Sequence, residues 1–271
     1  MVAGAVLATA LAVLFFGRSD RLVLRRPVRI KLEADIELVR GELERGRRAA
    51  GELVAVYAPL DRVLPRLRLN PHRMPLADLA NLAESALLVT NAGFFTPDWH
   101  ATGLLVSEGE TLSPFVAEAG SAGSGVFVIR ENEIRLLERD AARGENFDNA
   151  VLAIQAGPRI IEPGGHPGIR SDDGAHANRT VIGADRSGRL VLVVVYQSDG
   201  GRRFGPSLYE LMELLGPTGL GRISSDHALD QALNLDGGTS TGLALRSDRH
   251  TTDLPEQNRV FSVLSLSPRK P

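Results

Sequence analysis

Four segments of this chain share one form: a short apolar run with a glycine and a polar or ionisable residue at its end. They are Asn91-Ala92-Gly93-Phe94-Phe95, Ile154-Gln155-Ala156-Gly157-Pro158, Asn178-Arg179-Thr180-Val181-Ile182-Gly183 and Asn234-Leu235-Asp236-Gly237-Gly238-Thr239-Ser240-Thr241-Gly242. Short aliphatic runs bounded by glycine read as strands. Further runs of this kind occur at 53–57, 86–90, 103–107, 125–129, 133–137 and 151–155. The clearest hairpin joins 179–184 to 190–196 across Asp185-Arg186-Ser187-Gly188, and the last strands pair 242–246 with 259–266. Helical spacing is confined to 75–82, which opens with proline, and 206–215, which stops at Gly216. Strands outnumber helices and do not alternate with them. The expected fold is therefore α+β, a mixed, mostly antiparallel sheet core with few helices in a single domain.

That domain is expected over 51–271. Residues 18–50 form a charged N-terminal extension, rich in Arg and Glu, and periodicity does not decide between a helix and long strands. Residues 1–17 carry no charge and resemble the apolar part of a signal peptide or N-terminal membrane anchor. Basic residues follow (Arg18, Arg21, Arg25, Arg26, Arg29 and Lys31), as the positive-inside tendency favours. The expectation is an extracytoplasmic protein, periplasmic or secreted, with membrane attachment through 1–17. A buried N-terminal helix is the alternative.

A formal net charge of −2 argues against a nucleic-acid partner. The absence of cysteine excludes disulfides, thiolate metal sites and a cysteine nucleophile. His166, Asp172, Asp173 and His176 share one Gly/Pro-rich loop, but their spacing matches no specific metal site, so no metal or cofactor is expected. Ser240, His227 and Asp199 lack the Gly-x-Ser-x-Gly elbow of a hydrolase triad.

The run at 234–242 is the richest in chemistry. In a strand Asn234 and Asp236 project to the same face. Gly237 and Gly238 let a ligand approach the main chain, and Thr239, Ser240 and Thr241 supply hydroxyls beside the carboxylate. The same residues also fit a β-hairpin with an Asp-Gly turn.

In their order, these motifs resemble the phosphodiester glycosidase family, whose members include bacterial proteins associated with exopolysaccharide. The matching segments are 91–95, Gly103-Leu104, 155–158, 179–183, 208–215 and 234–240, and the resemblance spans roughly 50–266. Ala92 and Thr239 stand where the family commonly has glycine. The segment 218–231 is longer than usual and brings Asp226, His227 and Asp230 near the last motif in sequence.

The resemblance implies hydrolysis of a sugar-1-phosphodiester at the anomeric carbon, on a phosphorylated carbohydrate or glycan, without a cofactor. Glycoside cleavage commonly uses two carboxylates. Asp236 would be nucleophile or general base, and Asp199 the second carboxylate. Arg179 would hold the phosphate with its guanidinium fork. Asn91, Gln155 and Asn234 would orient sugar or phosphate oxygens, with Gly237, Gly238, Thr239 and Ser240 around them. Phe95 would stack on the sugar. A non-catalytic glycan-binding or exopolysaccharide-assembly protein on the same fold is the alternative.

Overall fold

The computed structural model describes residues 21–82, 86–131, 133–199, 205–248 and 250–269. The signal or anchor segment expected at 1–17 lies outside the described residues. Among those described, no helix is long and apolar enough to cross a membrane.

Among the described residues three sheets build the fold, and every pairing between their strands is antiparallel. The largest has eight strands in the order Leu22–Lys31, Glu37–Arg45, Arg48–Ala58, Leu190–Tyr196, Arg179–Asp185, Leu229–Asn234, Arg159–Glu162 and His166–Pro167. A second sheet runs Glu110–Ser113, Leu105–Ser107, Leu152–Ala156, Gly125–Arg130 and Glu133–Glu138. The third runs Thr251–Leu254, Leu243–Arg246, Leu88–Asn91, Ser262–Pro268 and Val63–Leu69.

The large sheet is covered on both faces. One face, through Val54, Val56, Ile182 and Val194, shares a core with Phe127 and Ile154 of the second sheet and Leu264 of the third. The other packs Tyr57, Val181 and Val193 against Leu211, Leu214 and Leu215 of the helix Leu208–Leu215. Double coverage explains why Leu190–Tyr196 is apolar throughout rather than alternating. The helix starts with a capping box: Ser207 Oγ accepts from Glu210 N at 3.2 Å and the Glu210 carboxylate accepts from Ser207 N at 3.0 Å.

Two expectations are corrected here. The charged extension contributes strands Leu22–Lys31 and Glu37–Arg45 to the large sheet, and the boundary drawn at residue 51 falls inside strand Arg48–Ala58. The last strands do not pair with each other. Leu243–Arg246 and Ser262–Pro268 flank Leu88–Asn91 on opposite sides, and Thr251–Leu254 is the second partner of Leu243–Arg246.

Candidate active site

The segment after strand Leu229–Asn234 is not a hairpin. Leu229–Asn234 lies in the eight-stranded sheet, whereas Leu243–Arg246 lies in the third sheet. Residues 235–242 therefore cross from one sheet to the other, with a short 3-10 turn at Gly238–Ser240. A local Asp-Gly pattern cannot distinguish a return within one sheet from a passage between two.

The crossing is anchored residue by residue. Leu235 N donates to Thr180 O at 2.9 Å, Asp236 N to Ala92 O at 3.1 Å and Gly238 N to Asn178 O at 2.8 Å. Gly238 has φ +61, and a Cβ on Gly237 would come within 2.9 Å of Asn178 O, so both glycines are required by geometry. The same Cβ would stand 4.0 Å from Arg179 Cα, which places the Asp236 turn against the start of the Arg179 strand.

Asn91 is fully buried at the end of its strand. Its Nδ2 donates to Asp236 O at 2.7 Å, and its Oδ1 accepts from Thr180 Oγ1 at 2.8 Å and Gly242 N at 3.3 Å. The side chain thus staples the third sheet to the large sheet and fixes the main chain at Asp236. Gln155 is spent in the same way. Its Oε1 accepts from Leu104 N and Val116 N at 3.1 and 2.9 Å, and its Nε2 donates to Val116 O and Gly123 O at 2.7 and 3.2 Å. Gly157, two residues on, has no room for a side chain: a Cβ would meet Ser121 O at 2.2 Å. Asn234 Nδ2 donates to Gly157 O at 2.9 Å, while its buried Oδ1 has no hydrogen-bond partner among the described residues.

The Asp236 carboxylate is partly exposed. Burial pushes its pKa up to about 6, opposed by hydrogen bonds from the Ser240 hydroxyl and Gly237 N, the latter at 2.8 Å. Arg179, also partly exposed, donates from Nε to Pro206 O at 3.2 Å and from Nη2 to Ala175 O, while Nη1 makes no hydrogen bond among the described residues. Burial draws the guanidinium below the usual arginine pKa, with Asp173 opposing. Neither group forms an ion pair within 4 Å among the described residues.

Thr239 turns its hydroxyl to Asn258 Nδ2 at 2.8 Å, and its carbonyl accepts from Gln257 N and Asn258 N, both at 2.9 Å. Asp199 is exposed on the loop after Leu190–Tyr196. Gln257 Nε2 donates to the neighbouring Ser198 O at 2.5 Å, which brings this loop to the same rim as Thr239. Phe95 stands beside Trp99 and Phe261, with ring centroids 5.0 and 6.3 Å away. Trp99 carries no periodic or motif signal in the sequence. Its position against Phe95 emerges only from the fold.

The polar residues at 218–231 do not reach this rim. His227 is buried before the opposite end of Leu229–Asn234, 3.2 Å from Glu37 and edge-on to Tyr57. In the Gly/Pro-rich loop, His176 faces Arg45 and Glu210, Asp173 accepts from Ala175 N, and hydrogen bonds from Ser207 and Gly174 lower the pKa of Asp172. No group of three or more metal-ligating side chains converges among the described residues.

The profile of the phosphodiester glycosidase family matches residues 84–264. Among solved structures, the chain is similar to the zebrafish N-acetylglucosamine-1-phosphodiester alpha-N-acetylglucosaminidase catalytic domain auto-inhibited by its pro-peptide. That match has a TM-score of 0.57 and 18% identity, and covers 94% of this chain and 85% of that one. It is also similar to a hypothetical protein from Synechocystis, with a TM-score of 0.53 and 17% identity, covering 86% of this chain and 62% of that one. No curated protein matches by sequence.

Proposed function

The chain belongs to the phosphodiester glycosidase family, and on that premise we propose that it hydrolyses a sugar-1-phosphodiester at the anomeric carbon, releasing the sugar and a phosphomonoester. The observation that supports this most strongly is a pair of opposite charges on adjoining segments, neither held in a direct ion pair among the described residues. Among the described residues neither Asp236 nor Arg179 has an ion-pair partner within 4 Å, Asp173 acting on Arg179 only at longer range, yet a Cβ on Gly237 would stand only 4.0 Å from Arg179 Cα. A phosphodiester-linked sugar would satisfy both, offering an electrophilic carbon to one and an anion to the other.

In this reading Arg179 Nη1 binds the phosphate and steadies the charge that builds on the leaving oxygen as the C1–O bond breaks. Asp236 acts on the anomeric carbon, as nucleophile or as the base that activates water, and either role requires its ionised form. The exposed Asp199 is the second carboxylate. Asn234 Oδ1 accepts from a sugar hydroxyl. Asn91 and Gln155 serve as positioning residues, holding the main chain around the site. The substrate is a phosphorylated glycan met outside the cytoplasm, a placement that rests on the apolar, charge-free run at 1–17.

Phosphorus NMR on a panel of hexose-1-phosphate methyl diesters tests this. A new phosphomonoester signal, lost in Asp236→Asn, is the expected result. No turnover across the panel, or full activity in Asp236→Asn, would overturn it. Saccharide binding without turnover, indifferent to Asp236→Asn, would instead fit a glycan-binding or exopolysaccharide-assembly protein.

A further inference from the structure

Three loops bring a second group of side chains to the same rim. Trp99 stands edge-on to Phe95 and Phe261, with ring centroids 5.0 and 6.0 Å away. The guanidinium carbon of Arg73 lies 4.4 Å from the centre of the Trp99 ring. The three rings are partly exposed and Arg73 is exposed. Two short routes connect this cluster to the Asp236 turn. Ala92, which accepts from Asp236 N, precedes Phe95 by three residues, and Asn258, which donates to Thr239, precedes Phe261 by three.

Core packing accounts for only one ring of the cluster, Phe261, which packs against the main core. Among the described residues Trp99 and Phe95 belong to none of the apolar clusters that form the core. Trp99 has φ +64 and Arg73 has φ +52, a region that bulky L-residues enter only at a cost in free energy. The Trp99 indole N–H is enclosed without an acceptor, so ring contacts and backbone place it rather than a hydrogen bond. Among the described residues Arg73 has no ion-pair or hydrogen-bond partner for its side chain, and stacking on Trp99 leaves its N–H edge to a ligand.

We infer that Trp99 and Arg73 form a second subsite, beside the reacting centre, for a substrate made of several phosphodiester-linked sugars. This deepens the reading under Proposed function and rests on it. The indole offers a flat apolar surface to the C–H face of a pyranose ring. The guanidinium edge offers a bidentate contact to the next phosphate along the chain. A sugar-1-phosphodiester with a methyl aglycone carries neither the second ring nor the second charge.

Trp99 is the sole tryptophan of the chain, so indole emission reports on this position alone. The probes are a trisaccharide of hexoses joined by 1-phosphodiesters and the methyl diester of the same hexose-1-phosphate. The trisaccharide is expected to change the emission saturably and the methyl diester to leave it unchanged. Arg73→Gln, a surface substitution, is expected to weaken the trisaccharide response about tenfold and to lower the ratio of kcat/KM for trisaccharide over methyl diester by a similar factor. Emission indifferent to the trisaccharide, or an unchanged ratio in Arg73→Gln, would overturn the subsite. If neither compound is hydrolysed but the trisaccharide changes the emission, the subsite stands and the proposed reaction falls. Hydrolysis of both compounds with silent emission would do the reverse.

Discussion

Asn91 Nδ2 donates to the main-chain carbonyl of Asp236 at 2.7 Å, so a residue at the end of a strand in one sheet fixes the backbone that carries a carboxylate out of another. Asn91→Ala would leave the Thr180 hydroxyl, Gly242 N–H and Asp236 carbonyl without this partner. We expect a loss of roughly 2–4 kcal/mol in urea denaturation, because buried polar groups are left unsatisfied. Activity per folded molecule should also fall, since Asp236 loses its anchor.

Asp236 should lower the stability of the fold at neutral pH. Its folded pKa of about 6 lies above the value near 3.9 of an unfolded aspartate. Stability from this group is full below about pH 4, declines as the pH rises towards 6, and stays lower above it. Asp236→Asn should therefore raise stability by roughly 2 kcal/mol at pH 7 and hardly at all at pH 4. Thermal melts of both proteins across this range would check it; equal gains at both pH values would contradict it.

The same group should set the acid limb of the rate profile. If the ionised carboxylate does the chemistry, kcat/KM should rise with pH through about 6 and then level off. A profile flat across that range would assign the chemistry to another group.

Arg179→Lys keeps the charge but not the fork. Lysine cannot hold Pro206 O and Ala175 O and still present a planar edge to phosphate. A fall in kcat/KM of about 100-fold is expected, with weaker inhibition by the phosphomonoester product. Inhibition constants equal to those of the wild type would remove Arg179 from phosphate binding.

Gln155→Ala should separate architecture from chemistry. All four contacts of this amide are to main-chain groups, so the substitution should cost about 3 kcal/mol in chemical denaturation. The KM of the remaining folded enzyme should stay close to that of the wild type. A large rise in KM without loss of stability would make Gln155 a substrate contact.

Much of the fold is legible because burial leaves a local mark. Leu190–Tyr196 reads as a strand since both its faces are covered, and Leu208–Leu215 as a helix since Ser207 and Glu210 cap it. Val63–Leu69 is hidden by Pro65, which an interior strand would exclude but this edge strand accommodates. Strands Leu22–Lys31 and Glu37–Arg45 are obscured by charges that pair across them, as Arg25 does with Glu44.

The segments that meet around Asp236 are more legible in the sequence than the roles of their side chains. Glycine-ended runs mark Asn91, Gln155, Arg179 and Asp236, but no sequence pattern tells whether an amide is spent on the main chain or kept for a ligand. Asn91 and Gln155 are spent. Trp99 and Arg73 lie in loops without periodicity, and only the meeting of distant loops sets one over the other.

Because residues 235–242 leave one sheet and enter another, the carboxylate belongs to neither layer and registers their relative position, as a vernier registers two scales. Sliding of the layers would carry the Asp236 carbonyl away from Asn91 while every ladder within each sheet stayed intact. Heat inactivation should then begin as the layers part, ahead of any loss of β-sheet signal in circular dichroism.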